Sequence, residues 1–156
     1  MKLERAMERH GDAVMRLCYV YMKQKADAED IFQTVFCRYL TTDTVFASEE
    51  HERAWLLRVT ANLCKDTLGS YFRRNTVSLD VLEEEYALED ERGREVRSAV
   101  LQLPEKYRVP VYLHYFEGYT AAEIGQMLGR AENTIYTWLA RGRKQLKCEL
   151  GGEDDE

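Results

Sequence analysis

The chain has 156 residues, enough for one domain or two small ones, and 45% of them are hydrophobic, enough for packed cores. Its formal net charge of −6 at pH 7 by itself argues against nucleic acid as a partner. The sequence contains no apolar run of about 18 residues and no charged-then-apolar leader, so we expect neither a membrane span nor a signal peptide.

The excess negative charge is confined to two short segments. Residues 76–93 hold one basic and seven acidic side chains, net −6, and residues 151–156 hold four acidic and no basic ones, net −4. Residues 1–75 hold 12 basic and 11 acidic side chains, net +1, and residues 94–150 hold nine basic and six acidic ones, net +3. Because salt screens exposed charges beyond about 10 Å, the local positive charge of the last large segment keeps DNA as a candidate partner.

The four cysteines are widely spaced and form no CxxC pair, and the chain has three histidines. A zinc site is therefore not predicted, and no other cofactor is expected. Cys18, Cys37 and Cys64 stand among apolar residues, whereas Cys148 does not. These three are expected to be buried, reduced thiols in a cytoplasmic protein.

Three helices are predicted in the first 75 residues. Apolar side chains recur at helical spacing over residues 3–22, where Gly11 and Asp12 offer a point at which a new helix begins. A second helix is predicted over residues 27–40, with acidic residues at its N-terminal end, where the helix dipole favours them. Its apolar stripe consists of Ala28, Ile31, Phe32, Val35, Phe36 and Tyr39.

A loop and a longer helix follow. Residues 41–47 show no helical period and predict a loop. Ser48 is a candidate N-cap for a helix that continues to about Phe72, although His51 stands where a capping box would have an acid or glutamine. Within this helix we interpret Trp55 as a core residue.

The second half of the chain predicts a boundary and then further helices. Residues 76–93 are dense in acids and predict a linker. Helices are predicted over residues 95–101 and 105–116, the second of which starts after Pro104. Pro110 lies inside that second helix and is expected to kink or break it. Strand alternation persists nowhere, so the sequence predicts an all-α chain of two small helical domains.

Residues 118–150 contain the most informative pattern. Thr120 and Glu123 stand at capping-box spacing and predict the start of a short helix. Gly129 predicts a sharp turn after it, because glycine tolerates the left-handed backbone found at helix ends. The apolar residues of the short helix are Ile124, Met127 and Leu128.

A longer helix is predicted after this turn, apolar on one side and basic in its C-terminal half. Together the three elements predict a helix-turn-helix, whose second helix fits the DNA major groove. The alternative is an ordinary helical hairpin with a solvated basic face. The apolar residues are Ile135, Leu139 and Leu146, and the basic residues are Arg141, Arg143, Lys144 and Lys147.

Four segments stand in an order typical of one protein family. They are DAEDIFQTVF (27–36), ERAWLLRVTANLCKDTL (52–68), LPEKYRVPVYLHYFEGYTAAEIGQMLG (103–129) and NTIYTWLARGRKQL (133–146). Together they resemble a bacterial RNA polymerase sigma factor of the extracytoplasmic-function (ECF) group of the sigma-70 family. Each motif is moderately specific by itself, and all four in order are strongly so.

The resemblance implies a domain organisation. A region 2-like helical domain over residues 1–75 serves polymerase docking and the minus-10 element. The acidic linker over residues 76–93 joins it to a region 4-like helix-turn-helix domain over residues 94–150, which reads the minus-35 element. Residues 151–156 form an acidic tail.

The resemblance also implies a function, namely a sigma factor that binds core RNA polymerase and directs promoter recognition and transcription initiation. Such a protein is not an enzyme; its partners are core RNA polymerase and promoter DNA, with an anti-sigma factor as a further candidate and no membrane insertion. The alternative is a stand-alone helix-turn-helix transcriptional regulator that never joins polymerase. The first two segments favour the sigma factor, because a simple repressor has no need of them.

The resemblance assigns polymerase binding to the helix that contains residues 27–36. Its outward side chains in this chain are Asp27, Glu29, Asp30, Gln33 and Thr34. The alternative is that the three acids only complement the helix dipole.

Residues 41–47 and the helix after them resemble the reader of the minus-10 element, where a base is read after it leaves the stack. The candidate residues are Phe46, Asn62, Lys65, Arg73 and Arg74. Asn62 can donate to and accept from a base edge, and Lys65 can meet a phosphate. Phe46 either stacks on a base or packs over the foot of the loop.

The second helix of the helix-turn-helix resembles the minus-35 reader. Groove-facing residues are expected to be Asn133, Thr134, Tyr136, Thr137 and Ala140, with charge supplied by Arg141, Arg143, Lys144 and Lys147. Family members often carry basic residues where this chain has Tyr136 and Trp138. Direct pairing of arginine with guanine is therefore reduced here.

Overall fold

The structure, a computed structural model, describes residues 2–71 and 91–150. Within these residues every regular element is an α-helix, so the all-α prediction is confirmed. The chain divides into two compact units, Met1–Leu79 and Asp80–Glu156.

Some of the predicted functional segments lie outside the described residues. They are Arg73 and Arg74 of the minus-10 set, residues 76–90 of the acidic linker and the tail over residues 151–156. Their roles stay predictions.

The first unit is a bundle of three helices, in which each helix packs against the other two. The helices are α1 (Lys2–Met22), α2 (Lys25–Thr41) and α3 (Glu49–Tyr71). Their apolar stripes meet in a common core that includes Val14, Leu17, Val35, Leu56 and Leu57.

Helix α1 runs without a break through Gly11 and Asp12, so the predicted second start is wrong. Gly11 is buried, and a Cβ at this position would lie 3.8 Å from the ring of Phe32. Burial continues on both sides, at His10 and Ala13. The packing of one continuous face outweighs the roughly 0.5–1 kcal/mol that a glycine costs a helix interior.

Two of the three cysteines predicted to be buried are buried. Cys18 and Cys64 lie in the core, but Cys37 is exposed, so that part of the prediction is wrong. Cys37 follows the buried Phe36, and one residue turns a helix by about 100°, which carries the thiol to the solvent side. The thiols of all four cysteines in the chain are free.

The predicted loop and the cap of α3 are both present. Residues 42–48 connect α2 to α3 without regular structure. The Ser48 hydroxyl accepts a hydrogen bond from the backbone N–H of His51 at 3.0 Å, which confirms the cap. The imidazole of His51 accepts a hydrogen bond from the backbone N–H of Ala47 through Nδ1 at 2.9 Å. In a capping box, the side chain three residues after the cap accepts a hydrogen bond from the backbone N–H of the cap residue. Here His51 is that side chain, and it accepts from Ala47, the residue before the cap.

The second unit contains four helices within the described residues. They are α4 (Glu91–Leu101), α5 (Glu105–Tyr115), α6 (Ala121–Leu128) and α7 (Glu132–Glu149). Helix α4 begins four residues before the predicted start at Glu95, inside the range that the sequence assigned to the linker. Helix α5 is central to this unit, because α4, α6 and α7 all pack against it.

Pro110 lies inside α5 and does not break it, so of the two expected effects the break is absent and the kink stays a prediction. Proline removes the hydrogen bond that residue 110 would donate to Lys106. Val109, Pro110 and Val111 are all buried in this unit. The burial of a continuous apolar segment holds α5 in one piece despite the lost bond.

Helices α5 and α7 approach each other closely at Gly142. A Cβ at this position would lie 2.6 Å from Cγ2 of Val111 and 3.5 Å from Cβ of Tyr107. We therefore expect Gly142→Ala to lower the free energy of unfolding of the second unit by about 1–3 kcal/mol. Urea unfolding followed by circular dichroism measures this change.

Gly69 provides the matched control, because a Cβ there would meet nothing within 4 Å. Gly69→Ala should leave the first unit unchanged or stabilise it by roughly 0.5–1 kcal/mol. If the Gly142→Ala protein is as stable as the wild type, then α5 and α7 can move apart by the width of a methyl group without loss of stability.

Candidate nucleic-acid interface

The short helix α6 starts at a complete capping box, as predicted. The Thr120 hydroxyl accepts a hydrogen bond from the backbone N–H of Glu123 at 3.1 Å. The Glu123 carboxylate accepts one in return from the backbone N–H of Thr120 at 2.9 Å. This fixes the residue at which the helix-turn-helix begins.

The turn between α6 and α7 depends on two glycines. Gly129 has φ 70°, in the left-handed region, so the predicted turn is confirmed. The backbone N–H of Arg130 donates to the carbonyl of Gly125 at 2.9 Å. A Cβ on Gly125 would lie 2.6 Å from the Arg130 carbonyl oxygen, so this close approach requires a residue without a side chain.

Helix α7 buries one narrow side and leaves the other side open. Its buried residues are Ile135, Leu139 and Gly142, and Leu146 is half-buried. Among the predicted groove-facing residues Thr134 is half-buried, and the exposed ones are Asn133, Tyr136, Thr137 and Ala140. The structure therefore gathers the predicted base-contacting residues on one accessible surface of the N-terminal half of α7.

Two of these exposed side chains carry hydroxyl groups that can form hydrogen bonds with a partner. The Thr137 hydroxyl donates to the carbonyl of Asn133 at 3.1 Å, which leaves its lone pairs to accept hydrogen bonds from outside. Tyr136 is 56% exposed and carries a phenol that can both donate and accept.

All four predicted basic residues of α7 are exposed: Arg141, Arg143, Lys144 and Lys147. Arg143 also donates to the Tyr115 hydroxyl at 3.1 Å, which holds its guanidinium toward the end of α5. This basic half of the helix can meet phosphates, beside the predicted base-contacting residues of the N-terminal half.

Sequence reasoning missed Arg130, which lies in the turn before α7. Its guanidinium lies over the ring of Trp138, 5.6 Å from the ring centroid, and the side chain is exposed. It is the only basic residue in positions 130–140. An isolated arginine in a turn was the available signal, but the contact with Trp138 joins residues on two elements and has no sequence pattern.

The first unit has a cavity of about 340 Å³ against the loop over residues 42–48. This volume lies at the small end of ligand-binding pockets, which run from about 300 to 1,000 Å³. The cavity is lined by Lys2, Arg9, Thr44, Val45, Phe46, Ser48, Glu49 and Glu52. Of the predicted minus-10 residues that the structure describes, only Phe46 lines this cavity, and the sequence analysis did not name Lys2, Arg9 or Thr44.

Phe46 is packed at the foot of the loop, which favours that interpretation over a freely stacking residue. Its ring lies parallel to that of Tyr39, with an interplanar angle of 2° and 5.9 Å between centroids. It also meets the edges of His51 at 5.3 Å and Trp55 at 5.5 Å. Trp55 is half-buried in this aromatic cluster.

Asn62 and Lys65 lie on α3 away from this cavity. Asn62 is exposed and Lys65 is half-buried, one turn apart. Ten residues separate Asn62 from Glu52, which places them about 15 Å apart along the helix axis. The structure therefore does not bring Asn62 together with Phe46, and its role stays a prediction.

The predicted polymerase-binding residues share the outer side of α2. Glu29, Asp30, Gln33 and Thr34 are exposed and Asp27 is half-buried, and the Thr34 hydroxyl donates to the carbonyl of Asp30 at 3.0 Å. Partial burial and the negative charge of Asp30 raise the pKa of Asp27.

Comparison with known proteins agrees with this geometry. The family model for sigma-70 region 2 matches residues 6–76, and that for sigma-70 region 4 matches residues 93–146. The chain belongs to the sigma-70 family. Within it, the chain is a member of the ECF group.

Curated relatives of this sigma factor come from several bacteria. ECF sigma factor SigE of Mycolicibacterium smegmatis is 31% identical over 163 aligned positions, which cover 96% of this chain and 62% of SigE. ECF sigma factor SigW of Bacillus subtilis is 28% identical and is aligned over 90% of this chain and 84% of SigW. The chain thus spans less than two thirds of SigE but most of SigW.

Solved structures show the same fold. Sigma factor RpoE of Bartonella quintana, crystallised with the anti-sigma factor NepR, matches with a TM-score of 0.81 at 17% identity, over 98% of this chain and 99% of RpoE. CnrH, crystallised with the cytosolic domain of CnrY, matches with a TM-score of 0.66 at 20% identity, over 97% and 89%. None of the helices described in this sigma factor is long and apolar enough to cross a membrane.

A buried polar network ties the three helices of the region 2-like unit together beside the cavity. Glu52 of α3 accepts a hydrogen bond from the Tyr39 hydroxyl of α2 at 2.5 Å. Its other carboxylate oxygen lies 3.1 Å from His10 Nε2 and 3.4 Å from Arg9 Nη1, both on α1. His10, Tyr39 and Glu52 are each buried. The sequence contains one signal for this network. His10 and Glu52 are polar, but each stands four residues before a buried apolar residue and therefore on the same side of its helix.

The pKa values of the two acidic partners are displaced in opposite directions. Burial favours the protonated form of Glu52, but the hydrogen bonds from Tyr39 and His10 and the charges of His10 and Arg9 outweigh it, so the pKa of Glu52 is lowered. Burial, together with the hydrogen bond and charge of Glu52, raises the pKa of Tyr39 to about 12. The carboxylate is therefore the ionised partner.

This displacement predicts a pH-dependent contribution to stability. A carboxyl group whose pKa is lowered in the folded state stabilises the fold above its ordinary pKa of 4.5, and this stabilisation is lost as the pH falls through the lower folded-state pKa. Glu52→Gln should therefore be less stable than the wild type near neutral pH, with the gap closing at acid pH. Urea unfolding over a pH series measures the gap.

Glu50→Gln is the matched control, because Glu50 is exposed in the first turn of the same helix. Its stability should follow the wild type across the series. A Glu52→Gln gap that is unchanged from neutral to acid pH would mean that the ionised carboxylate adds nothing to the fold.

Proposed function

We propose that this sigma factor binds core RNA polymerase and directs it to promoters, so that polymerase initiates transcription there. The observation that carries the proposal is the combination, in one chain, of a capped helix-turn-helix and a separate three-helix unit with an acidic helix face and a loop cavity. The chain acts by binding, polymerase supplies the covalent chemistry, and the site of action is the cytoplasm. The proposed boundaries are residues 1–75 for the first domain, 76–93 for the linker and 94–150 for the second domain.

The second domain is proposed to read the minus-35 element with α7. Asn133, Tyr136 and Thr137 offer donors and acceptors to base edges, and Ala140 offers apolar contact to a thymine methyl group. Thr134 lies at the edge of this surface. Arg141, Arg143, Lys144 and Lys147 contact phosphates and fix the register.

Arg130 is proposed as a further phosphate contact. The N-terminal half of α7 carries no positive charge of its own, although phosphates flank both ends of a helix in the major groove. Stacking on Trp138 orients the planar guanidinium without using its N–H groups. Arg130 can therefore neutralise the phosphate nearest the turn.

Removing these cations should weaken promoter binding and flatten its salt dependence. For Arg130→Ala, Arg141→Ala or Lys144→Ala, the slope of log K against log salt should fall by about 0.9, because one phosphate contact is lost. Fluorescence anisotropy with a minus-35 duplex over a salt series measures both quantities.

Lys106→Ala is the control for Arg130→Ala. Lys106 is also exposed and its ammonium also lies over an aromatic ring, that of Tyr107 at 5.4 Å, but on α5. Its loss should leave the slope unchanged. If Arg130→Ala has the same slope of log K against log salt as the wild type, Arg130 makes no phosphate contact.

The first domain is proposed to hold a flipped base of the minus-10 element in the loop cavity. A base exposes its pairing edge only after it leaves the stack. The hydroxyls of Thr44 and Ser48 and the cations Lys2 and Arg9 line a cavity of suitable size, with Phe46 as an aromatic wall. Asn62 and Lys65, further along α3, are proposed to follow the strand on either side, together with Arg73 and Arg74, which come after this helix in the sequence.

Helix α2 is proposed to bind core polymerase through Asp27, Glu29, Asp30, Gln33 and Thr34. Partial burial and, after it, the negative charge of Asp30 raise the pKa of Asp27, so the carboxylates of Asp27 and Asp30 repel each other in the free protein. A positively charged partner relieves this repulsion, which favours a binding surface. RpoE and CnrH were crystallised with NepR and with the cytosolic domain of CnrY, respectively, so an anti-sigma factor is proposed as a further partner of this chain.

Binding to core polymerase tests the function and separates it from the stand-alone regulator. The wild-type chain should co-purify with core polymerase and support run-off transcription from a promoter. Asp30→Lys should weaken core binding by roughly tenfold, equivalent to about 1.4 kcal/mol, because it reverses a charge at the contact. A titration of labelled chain with core polymerase measures the affinity.

Glu8→Lys is the matched control, since Glu8 is exposed on α1 and its reversal changes the net charge equally. Its core affinity should stay at the wild-type value. Promoter binding without any core binding by the wild type would favour the stand-alone regulator.

A further inference from the structure

We propose that Glu52 and Tyr39 are positioning residues for the minus-10 reader: through their hydrogen bond they fix the loop residue Phe46 and so set the shape of the loop cavity. This inference rests on the proposed role of that cavity in holding a base. Neither residue needs to touch DNA for the effect.

The two oxygens of the Glu52 carboxylate have different neighbours. Oε2 accepts from the Tyr39 hydroxyl at 2.5 Å, whereas Oε1 lies near His10 at 3.1 Å and Arg9 at 3.4 Å. Arg9 also forms an ion pair with Glu49 at 3.4 Å. Because Arg9, Glu49 and Glu52 themselves line the cavity, the network forms one of its walls as well as its support.

The link to the loop runs through the ring of Tyr39. Phe46 lies parallel to that ring, with 5.9 Å between centroids, which is an offset-stacked geometry. Val45, the residue before Phe46, is 87% exposed and makes no comparable anchor. A Tyr39 ring held at its hydroxyl end gives the loop a fixed surface to stack on.

Stability alone does not account for the network. A buried carboxylate loses hydration, and replacing buried ionic groups by apolar ones of similar volume is often neutral or stabilising. Within the described residues His10 Nδ1 is buried without a hydrogen-bond partner, a further cost. A directional set of bonds next to a cavity suits a demand for fixed geometry, since a wall that shifts by an ångström no longer distinguishes bases.

The test uses holoenzyme reconstituted from full chain and core polymerase. Tyr39→Phe keeps the stacked ring and removes only the hydroxyl bond to Glu52. The measurement is the ratio of run-off transcripts from a preferred minus-10 element and from single-base variants, with the minus-35 element held constant. A wrong base pair ordinarily costs about 5- to 150-fold, and we expect Tyr39→Phe to reduce the measured ratio by at least about threefold. Thermal melting is recorded in parallel.

The matched control is Tyr112→Phe, which removes another bond from a tyrosine hydroxyl to a carboxylate, that to Glu117 in the second unit. Its ratio should equal that of the wild type. A purely structural role for Tyr39 predicts lower melting and less total transcript at an unchanged ratio, and that result would overturn the proposal. If Tyr39→Phe does not fold, Glu52→Gln, which keeps the shape and one accepting oxygen, is measured in its place against the same criterion.

Thr44→Val separates failure of this proposal from failure of the proposed function. Thr44 lines the cavity but has no hydrogen bond to Glu52 or Tyr39 among those of the described residues. A changed ratio for Thr44→Val with an unchanged ratio for Tyr39→Phe leaves the cavity as the reader and rejects the positioning role. A wild-type holoenzyme that does not distinguish minus-10 variants rejects both.

Discussion

Tight packing at two glycines, against a side chain of α5 and against the turn before α7, is the constraint on which the second unit depends. At Gly125 and at Gly142 an added Cβ would lie 2.6 Å from an atom of a neighbouring element. Helix α7 is thus seated by two short contacts and the buried side chains of Ile135 and Leu139. So narrow a contact leaves most of the helix circumference free, which a helix entering the major groove requires.

The two units solve the problem of specificity in different ways. The helix-turn-helix is proposed to read a duplex from outside with the side chains of one helix, and the polar and basic groups proposed for this task are exposed. The first unit has a cavity against a loop, and a loop keeps one conformation only when side chains hold it in place. The aromatic cluster around Phe46 and the carboxylate of Glu52 make such contacts, and both lie where α2 and α3 meet the loop.

Local signals made most of the fold predictable. The capping box at Thr120, the cap at Ser48 and the left-handed turn at Gly129 depend on residues within four positions of one another, and each was found in the sequence. The wrong helix start predicted at Gly11 and the absent break at Pro110 have the opposite origin. There the local rule predicted an interruption, and packing against other helices overrode it.

The candidate site was less predictable for the same reason. The exposed residues of α7 follow from helical periodicity, so the accessible surface of this helix could be predicted from the sequence. The bond between His10 and Glu52 joins positions 42 residues apart, and the stacking of Arg130 on Trp138 joins a turn to a helix. No spacing rule connects such pairs, and only the folded chain brings them together.

In the proposed DNA interface, affinity and selectivity are carried by different residues. The basic groups of α7 stand in its C-terminal half, while the half proposed to meet base edges offers the neutral groups of Asn133, Tyr136 and Thr137. Salt weakens contacts of the first kind and hardly alters those of the second. Rising ionic strength should therefore lower occupancy at all sequences alike and leave the ranking of promoters nearly constant. A reader built on arginine-to-guanine pairs would couple the two, because the same charge would serve both the phosphates and the bases.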